Sequence, residues 1–309
     1  MKKNFLRIFF QCIALILIIK LIFYNDENFE NFNFFYSSKI IYLFLFSVFI
    51  KLFLTYLFYL ILKILSSKQI NYIDISNFFL QGGVINQLLP GVGFIYKYYK
   101  LKSYANINVI EYSTAQSIWT LFVFFSYMII ALILGLIIIS FSKVNLLIFI
   151  TILTTTIIIF LLNQKKLFYM LISKILKFKN FPNAISNLKI LKDKIINKPI
   201  YFLYLLIGFV MLAIIQCVYF YFGLVLFDAN VSFINSTSIY ISSTLASFIT
   251  LINFMGLFEF ILTISSSFID PDFQYMLVFA FGLRLINLSA TFTVITLFSL
   301  RKLINKIRT

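Results

Sequence analysis

The chain contains no histidine. That removes histidine general bases, histidine proton relays and the commonest protein metal ligand from consideration. Cysteine is almost as scarce. Cys12 and Cys217 each lie inside an apolar run, without metal-ligand spacing, so no disulfide framework, metal site or cofactor is expected and both read as small apolar residues. Acidic side chains number only 10 in 309 residues, and no serine-nucleophile motif accompanies them. The acids open to catalytic work reduce to Asp74, Glu111, Asp228 and Glu259. Charged residues of both signs make up 12% of the chain, too few to cover a water-soluble surface of this size.

What is present is hydrocarbon. Hydrophobic residues make up 62% of the chain and the mean hydropathy is +1.00. Several apolar runs exceed the roughly 18 residues that mark a spanning helix. The net charge of +16 could point to nucleic acid. The cations, however, sit in loops between apolar runs, where the excess of lysine and arginine on the cytoplasmic side of membrane proteins explains them better. No nucleic-acid partner is expected.

The fold expected is all-α and polytopic. Full spans are expected at 6–24, 40–65, 115–141, 146–162, 200–227 and 275–300. Lys2, Lys3 and Arg7 before an apolar run resemble a signal peptide, but Asn25, Asp26 and Glu27 follow with no small-residue cleavage site, so an uncleaved first span is expected. Two further apolar segments, 75–94 and 236–268, are interrupted and read as re-entrant helical hairpins that enter and leave on one side. Both termini then lie in the cytoplasm, and 21 of the 26 cations fall on that side. The exceptions are Lys20, Lys39, Lys51, Lys143 and Arg284. Asp26, Glu27, Glu30, Asp228, Asp270 and Asp272 fall outside, and the opposite orientation would contradict the charge bias. The stretch 167–179 reads either as an amphipathic helix on the anionic cytoplasmic leaflet or as a solvated basic loop. Residues 1–309 read as one integral membrane domain of a cytoplasmic (inner) membrane, with no soluble domain.

Two breaks carry the functional reading. The first is Asn86-Gln87-Leu88-Leu89-Pro90-Gly91-Val92-Gly93, with Lys97 beyond it. Proline lacks an amide hydrogen, and the residue before it avoids helical angles, so a helix should end at Leu89. A helix restarting near Gly93, with Lys97 one turn in, could cradle a phosphate on its free amides. The alternative is a tight interfacial turn whose lysines face lipid phosphates. The second break is Asn253-Phe254-Met255-Gly256-Leu257-Phe258-Glu259, preceded by Ser243, Ser247 and Thr250 on one helical face. An unpaired acid there costs at least ~2.5 kcal/mol on insertion scales, so Glu259 needs a proton, water or a partner. Arg284 is the expected one, and shares a helix face with Asn287 and Thr291; the pair either ties two helices together or meets substrate. Lys51, mid-span between Ser47 and Thr55, should face the protein interior.

Asn86-x-x-x-Pro90-Gly91-x-Gly93 with Lys97, followed by Gly256-x-x-Glu259 and Arg284, resembles the signatures of the lysylphosphatidylglycerol synthase transmembrane family of flippase-like proteins. The resemblance covers about 77–300. It implies a membrane domain that translocates or presents a polar-headed, phosphate-bearing lipid, with membrane phospholipid or a lipid-linked molecule as substrate. Family members often carry arginine at the Lys97 position, and charged residues where this chain has Gln116 to Thr120. The lipid-aminoacylating activity of bifunctional members resides in a soluble domain not seen here, so no enzymatic activity is expected. The other readings are an accessory subunit that partners a soluble synthase of an envelope-lipid pathway, and a membrane-embedded lipid-linked transferase. The candidate substrate-binding residues are Asn86, Pro90, Gly91, Gly93, Lys97, Glu259, Arg284, Lys51 and Asn287.

Overall fold

The computed structural model describes residues 39–66, 68–89, 91–138, 199–227, 231–249 and 273–308. The expected spans at 6–24 and 146–162, the stretch 167–179, Cys12, Pro90, Thr250 and the Asn253 to Glu259 break lie outside these residues. Among the described residues there are seven helices and no strand: α1 Lys39–Leu65, α2 Tyr72–Leu88, α3 Val92–Ala105, α4 Val109–Ile138, α5 Pro199–Leu226, α6 Phe233–Ile249 and α7 Phe273–Arg308. Four of them are long and apolar enough to cross a membrane: Ile40–Leu65, Val109–Leu134, Ile200–Leu226 and Phe279–Arg301. They match four of the expected spans.

Side-chain pairs give the helix directions. Ser47 meets Asn287, and Tyr72, packed beside Tyr59, meets Phe298, so α1 and α7 run parallel. Trp119 packs on Phe209 and Tyr127 donates its hydroxyl to Gln216, so α4 and α5 also run parallel. Phe46 meets Tyr219 while Leu57 lies against Gly208, so α5 opposes α1. Tyr221 meets Phe233, and Cys217 and Ala213 share a buried cluster with Ile241 and Leu245, which sends α6 back along α5. One ring from each of α1, α2, α4 and α5 builds the centre: Phe58 lies 4.4 Å from Phe79, Phe79 5.2 Å from Trp119, and Trp119 5.0 Å from Phe209. Such pairs contribute about 0.5–1.5 kcal/mol each beyond their area. Cys217 is buried with Tyr127, Ala213 and Leu245 in a second cluster, as a small apolar residue would be.

The helix ends are fixed by side chains. Asn71 accepts from the Ile73 amide at 3.0 Å and caps α2. Before α4, Asn108 accepts from the Glu111 amide at 2.7 Å while Glu111 accepts from the Asn108 amide at 3.1 Å. This reciprocal cap satisfies two orphan amides at once.

The α2–α3 hairpin lies across the bundle. Tyr72 bonds the carbonyl of Leu52 and the hydroxyl of Thr55, and Phe79 packs on Phe58. Tyr72 meets Phe298 and Asn77 meets Ser299. Seven residues of α2 advance about 10 Å along its own axis, yet the partners on α1 and α7 scarcely change level. A helix running alongside them would have moved two turns. α2 therefore crosses the α1–α7 pair, about 10 Å before α1 ends, at the end where Lys63, Lys68, Lys100, Lys102 and Arg301 gather.

Candidate functional site

The turn between α2 and α3 follows from its sequence. Leu89, preceding proline, is extended (φ −130°, ψ 90°), and Gly91 caps α3 at φ 86°, a left-handed angle that glycine alone adopts without strain. Asn86 accepts from the Gly91 amide at 2.7 Å, and the Val92 amide reaches the Leu89 carbonyl at 3.1 Å. Asn86 and the amides of Gly91 and Val92 are thus spent on closing the turn.

Gly93 lets the two helices touch. A Cβ there would overlap the Gly82 carbonyl oxygen and lie 2.6 Å from Asn86 Cβ and 2.7 Å from Asn86 N. Gly82 does the same for Lys97, whose Cε would stand 2.7 Å from an added Cβ. The lysine stem lies in the notch over Gly82, and its ammonium sits 4.3 Å from the centre of the Phe79 ring. It points away from the Gly91 turn, toward the middle of the bundle. The structure brings Asn86, Gly82, Gly93 and Lys97 together, but does not bring the Lys97 ammonium to the Gly91 amides. Lys97 has no hydrogen-bond or ion-pair partner among the described residues, and burial pushes its ammonium down to about 8. Among the described residues the cation–π contact with Phe79, ~0.5–2 kcal/mol, is what offsets that burial.

The second group lies along the α1–α7 seam. Ser47 Oγ donates to Asn287 Oδ1 at 2.7 Å, and Thr291 Oγ1 donates to the Asn287 carbonyl at 2.7 Å. Ser47, Thr55 and Thr291 are buried. Lys51, half-buried one turn beyond Ser47, has no hydrogen-bond or ion-pair partner among the described residues. The Ser47–Asn287 bond places Lys51 at the level of Thr291 and Arg284 at the level of Phe44. The three cations therefore stand at successive depths: Lys97 over Phe79 beside Phe58, then Lys51, then Arg284. From first to last is about 20 Å along α1, most of the ~30 Å of a bilayer core.

Two of the four acids open to catalysis are occupied. Glu111 closes the α4 cap and lies 4.0 Å from Lys68 Nζ; Asp74 accepts a hydrogen bond from Tyr104 at the base of the hairpin. On α6, Ser243 and Thr244 turn their hydroxyls onto the carbonyls of Ile239 and Tyr240. Ser243 is thus not part of an open polar face. Glu259 and Pro90 lie outside the described residues.

Sequence reading missed Gly82 and Phe79, which form the Lys97 seat. It also missed three buried α2 atoms that lack a hydrogen-bond partner among the described residues: Ser76 Oγ, Asn77 Oδ1 and Gln87 Oε1. The Gly82-Gly83 pair in an otherwise apolar helix was the available signal, because a helical glycine marks close approach. No known family, curated protein or solved structure matches the chain.

Proposed function

We propose that the protein is a flippase-like membrane protein that translocates or presents a phosphate-bearing lipid, with the head group passing along the α1–α7 seam while the acyl chains stay in lipid. The observation that carries this reading is the series of cations at three depths, two of them without an acid partner among the described residues. Ionisable groups inside a membrane are costly, and a path for a charged group is the common reason to keep them. Glu259 would position Arg284 or meet a cationic part of the head group. The resemblance of the two breaks to the lysylphosphatidylglycerol synthase transmembrane family points the same way.

The helix directions support the proposed topology. Because α4 and α5 run parallel, the chain between them has to return across the membrane, and 146–162 is the apolar run suited to that crossing. Because α5 and α7 are opposed, the chain joining them makes no net crossing, which suits a re-entrant 236–268. With the 6–24 run counted, six crossings put both termini on the basic, cytoplasmic side.

The test is movement of head-group-labelled anionic lipid in proteoliposomes. Arg284→Ala and Glu259→Gln are each expected to slow it at least about tenfold, equivalent to about 1.4 kcal/mol. Unchanged movement in both would remove this assignment. The same assay carries a pH signature from Lys97. Its ordinary value of 10.5 is lowered by burial to about 8, so it is cationic below about 8 and neutral above. Movement is expected to fall as pH rises through that value. Lys97→Gln should be slower and lack the step. A step that persists in Lys97→Gln would assign the titration to another group.

A further inference from the structure

We propose that α3 is an in-plane docking surface for anionic phospholipid of the leaflet at the basic end of the bundle. The inference holds whether or not the seam carries lipid. α3 has 14 residues, about 21 Å of helix, too short to cross a bilayer core. It carries Lys97, Lys100 and Lys102 and no acid. One face, with Lys97, Leu101 and Ala105, turns toward α2. The opposite face exposes a ridge of Val92, Ile95 and Tyr99, with Ile95 64% and Tyr99 70% exposed. Helical spacing puts Lys100 on one flank of that ridge and Lys102 on the other. Both are exposed, and neither has an acid partner among the described residues. Lys100 stands 5.7 Å from the Tyr96 ring.

Water alone does not suit an exposed Val-Ile-Tyr ridge, and hydrocarbon alone does not suit its flanking ammoniums. The boundary between head groups and acyl chains suits both. The height of the helix selects lipid over an acidic protein. α3 is held against α2, which crosses about 10 Å inside the end of α1; the 26-residue apolar stretch of α1 overhangs a ~30 Å core by about 5 Å at each end, which sets α2 about 5 Å below the level where acyl chains meet head groups. Tyrosine is at home at that depth, and lysine stems can lift their ammoniums to the phosphates.

The test uses Tyr99→Trp, an exposed position, with the emission of the parent chain, whose single tryptophan is Trp119, subtracted. The full chain is reconstituted in bilayers mixing phosphatidylglycerol and phosphatidylcholine, with bromine on the chains of one lipid at a time. Brominated phosphatidylglycerol is expected to quench position 99 more strongly. Lys100→Gln and Lys102→Gln should each lower that preference about fivefold, since a lysine near an anionic surface is worth about 1 kcal/mol. Excess inorganic phosphate should leave it unchanged. Absence of quenching by either lipid would show the ridge covered by protein and overturn the proposal. Equal quenching by both lipids would overturn the charge selectivity, and loss of the preference in phosphate would assign the lysines to a free anion. Native mass spectrometry gives an independent readout: the Lys100→Gln/Lys102→Gln chain should retain less phosphatidylglycerol than the parent and equal phosphatidylcholine.

Discussion

Lys51→Met is expected to give a protein that is harder to unfold and moves anionic lipid at least about tenfold more slowly. The two effects have one cause. The ammonium is half-buried on α1, between buried Ser47 and Thr55, with no partner among the described residues to offset its transfer from water. On insertion scales a lysine at the centre of a spanning helix costs about 2.5–3.5 kcal/mol. Methionine keeps the unbranched stem and discards the charge, so a gain of about 2 kcal/mol is expected, read as a rise of a few degrees in the detergent-solubilised melting temperature. If Lys51 supplies charge to a passing phosphate, the same change adds about 1.4 kcal/mol or more to the crossing barrier. A more stable chain with unchanged lipid movement would take Lys51 off the path. A less stable one would show that its ammonium holds the fold together.

The second large effect belongs to Gly93. Its added Cβ would meet the Gly82 carbonyl oxygen and the Asn86 amide nitrogen, both backbone atoms inside helices. Neither can turn aside as a side-chain end could. Gly93→Ala should push α3 off α2 and destabilise the protein by about 3 kcal/mol, the upper end of the overpacking range. The melting temperature in detergent should drop, and protease should cut sooner within 89–92. Gly83, ten residues earlier and also helical, has nothing within 4 Å of its added Cβ. Gly83→Ala should raise stability by about 0.5–1 kcal/mol from helix propensity alone. Equal effects at the two glycines would contradict the close approach.

The four long apolar helices were legible because each is a long apolar run, and hydropathy reads length and composition directly. The break was legible for a similar reason: Pro90-Gly91 dictates an extended Leu89 and a left-handed cap whatever surrounds them. The direction of the hairpin was not. A polar break in an apolar segment reads the same whether the helices dip between the spans or lie across them, and only the pairing of Tyr72 and Phe79 with Leu52 to Phe58 decides it. The roles of single residues divided along the same line. Lys51 could be placed on an inward face because Ser47 and Thr55 repeat at helical spacing. Asn86 read as a site residue because nothing local tells that its side chain closes the Gly91 turn, and Lys97 was aimed at that turn because the notch at Gly82 is a matter of which helices touch.

The Ser47–Asn287 bond joins residues 240 positions apart. At about 5–20 residues per second of synthesis, roughly 10–50 seconds separate the emergence of its two halves. Throughout that interval α1 stands without α7, with the Ser47 hydroxyl, one turn from the Lys51 ammonium, on the flank α7 will cover. The hairpin rests on both helices, so its seat is also incomplete until the last of the described helices is made. The polar seam is therefore among the final parts of the molecule to assemble, and the insertion machinery has to hold a half-finished helix pair for most of the time the ribosome is at work.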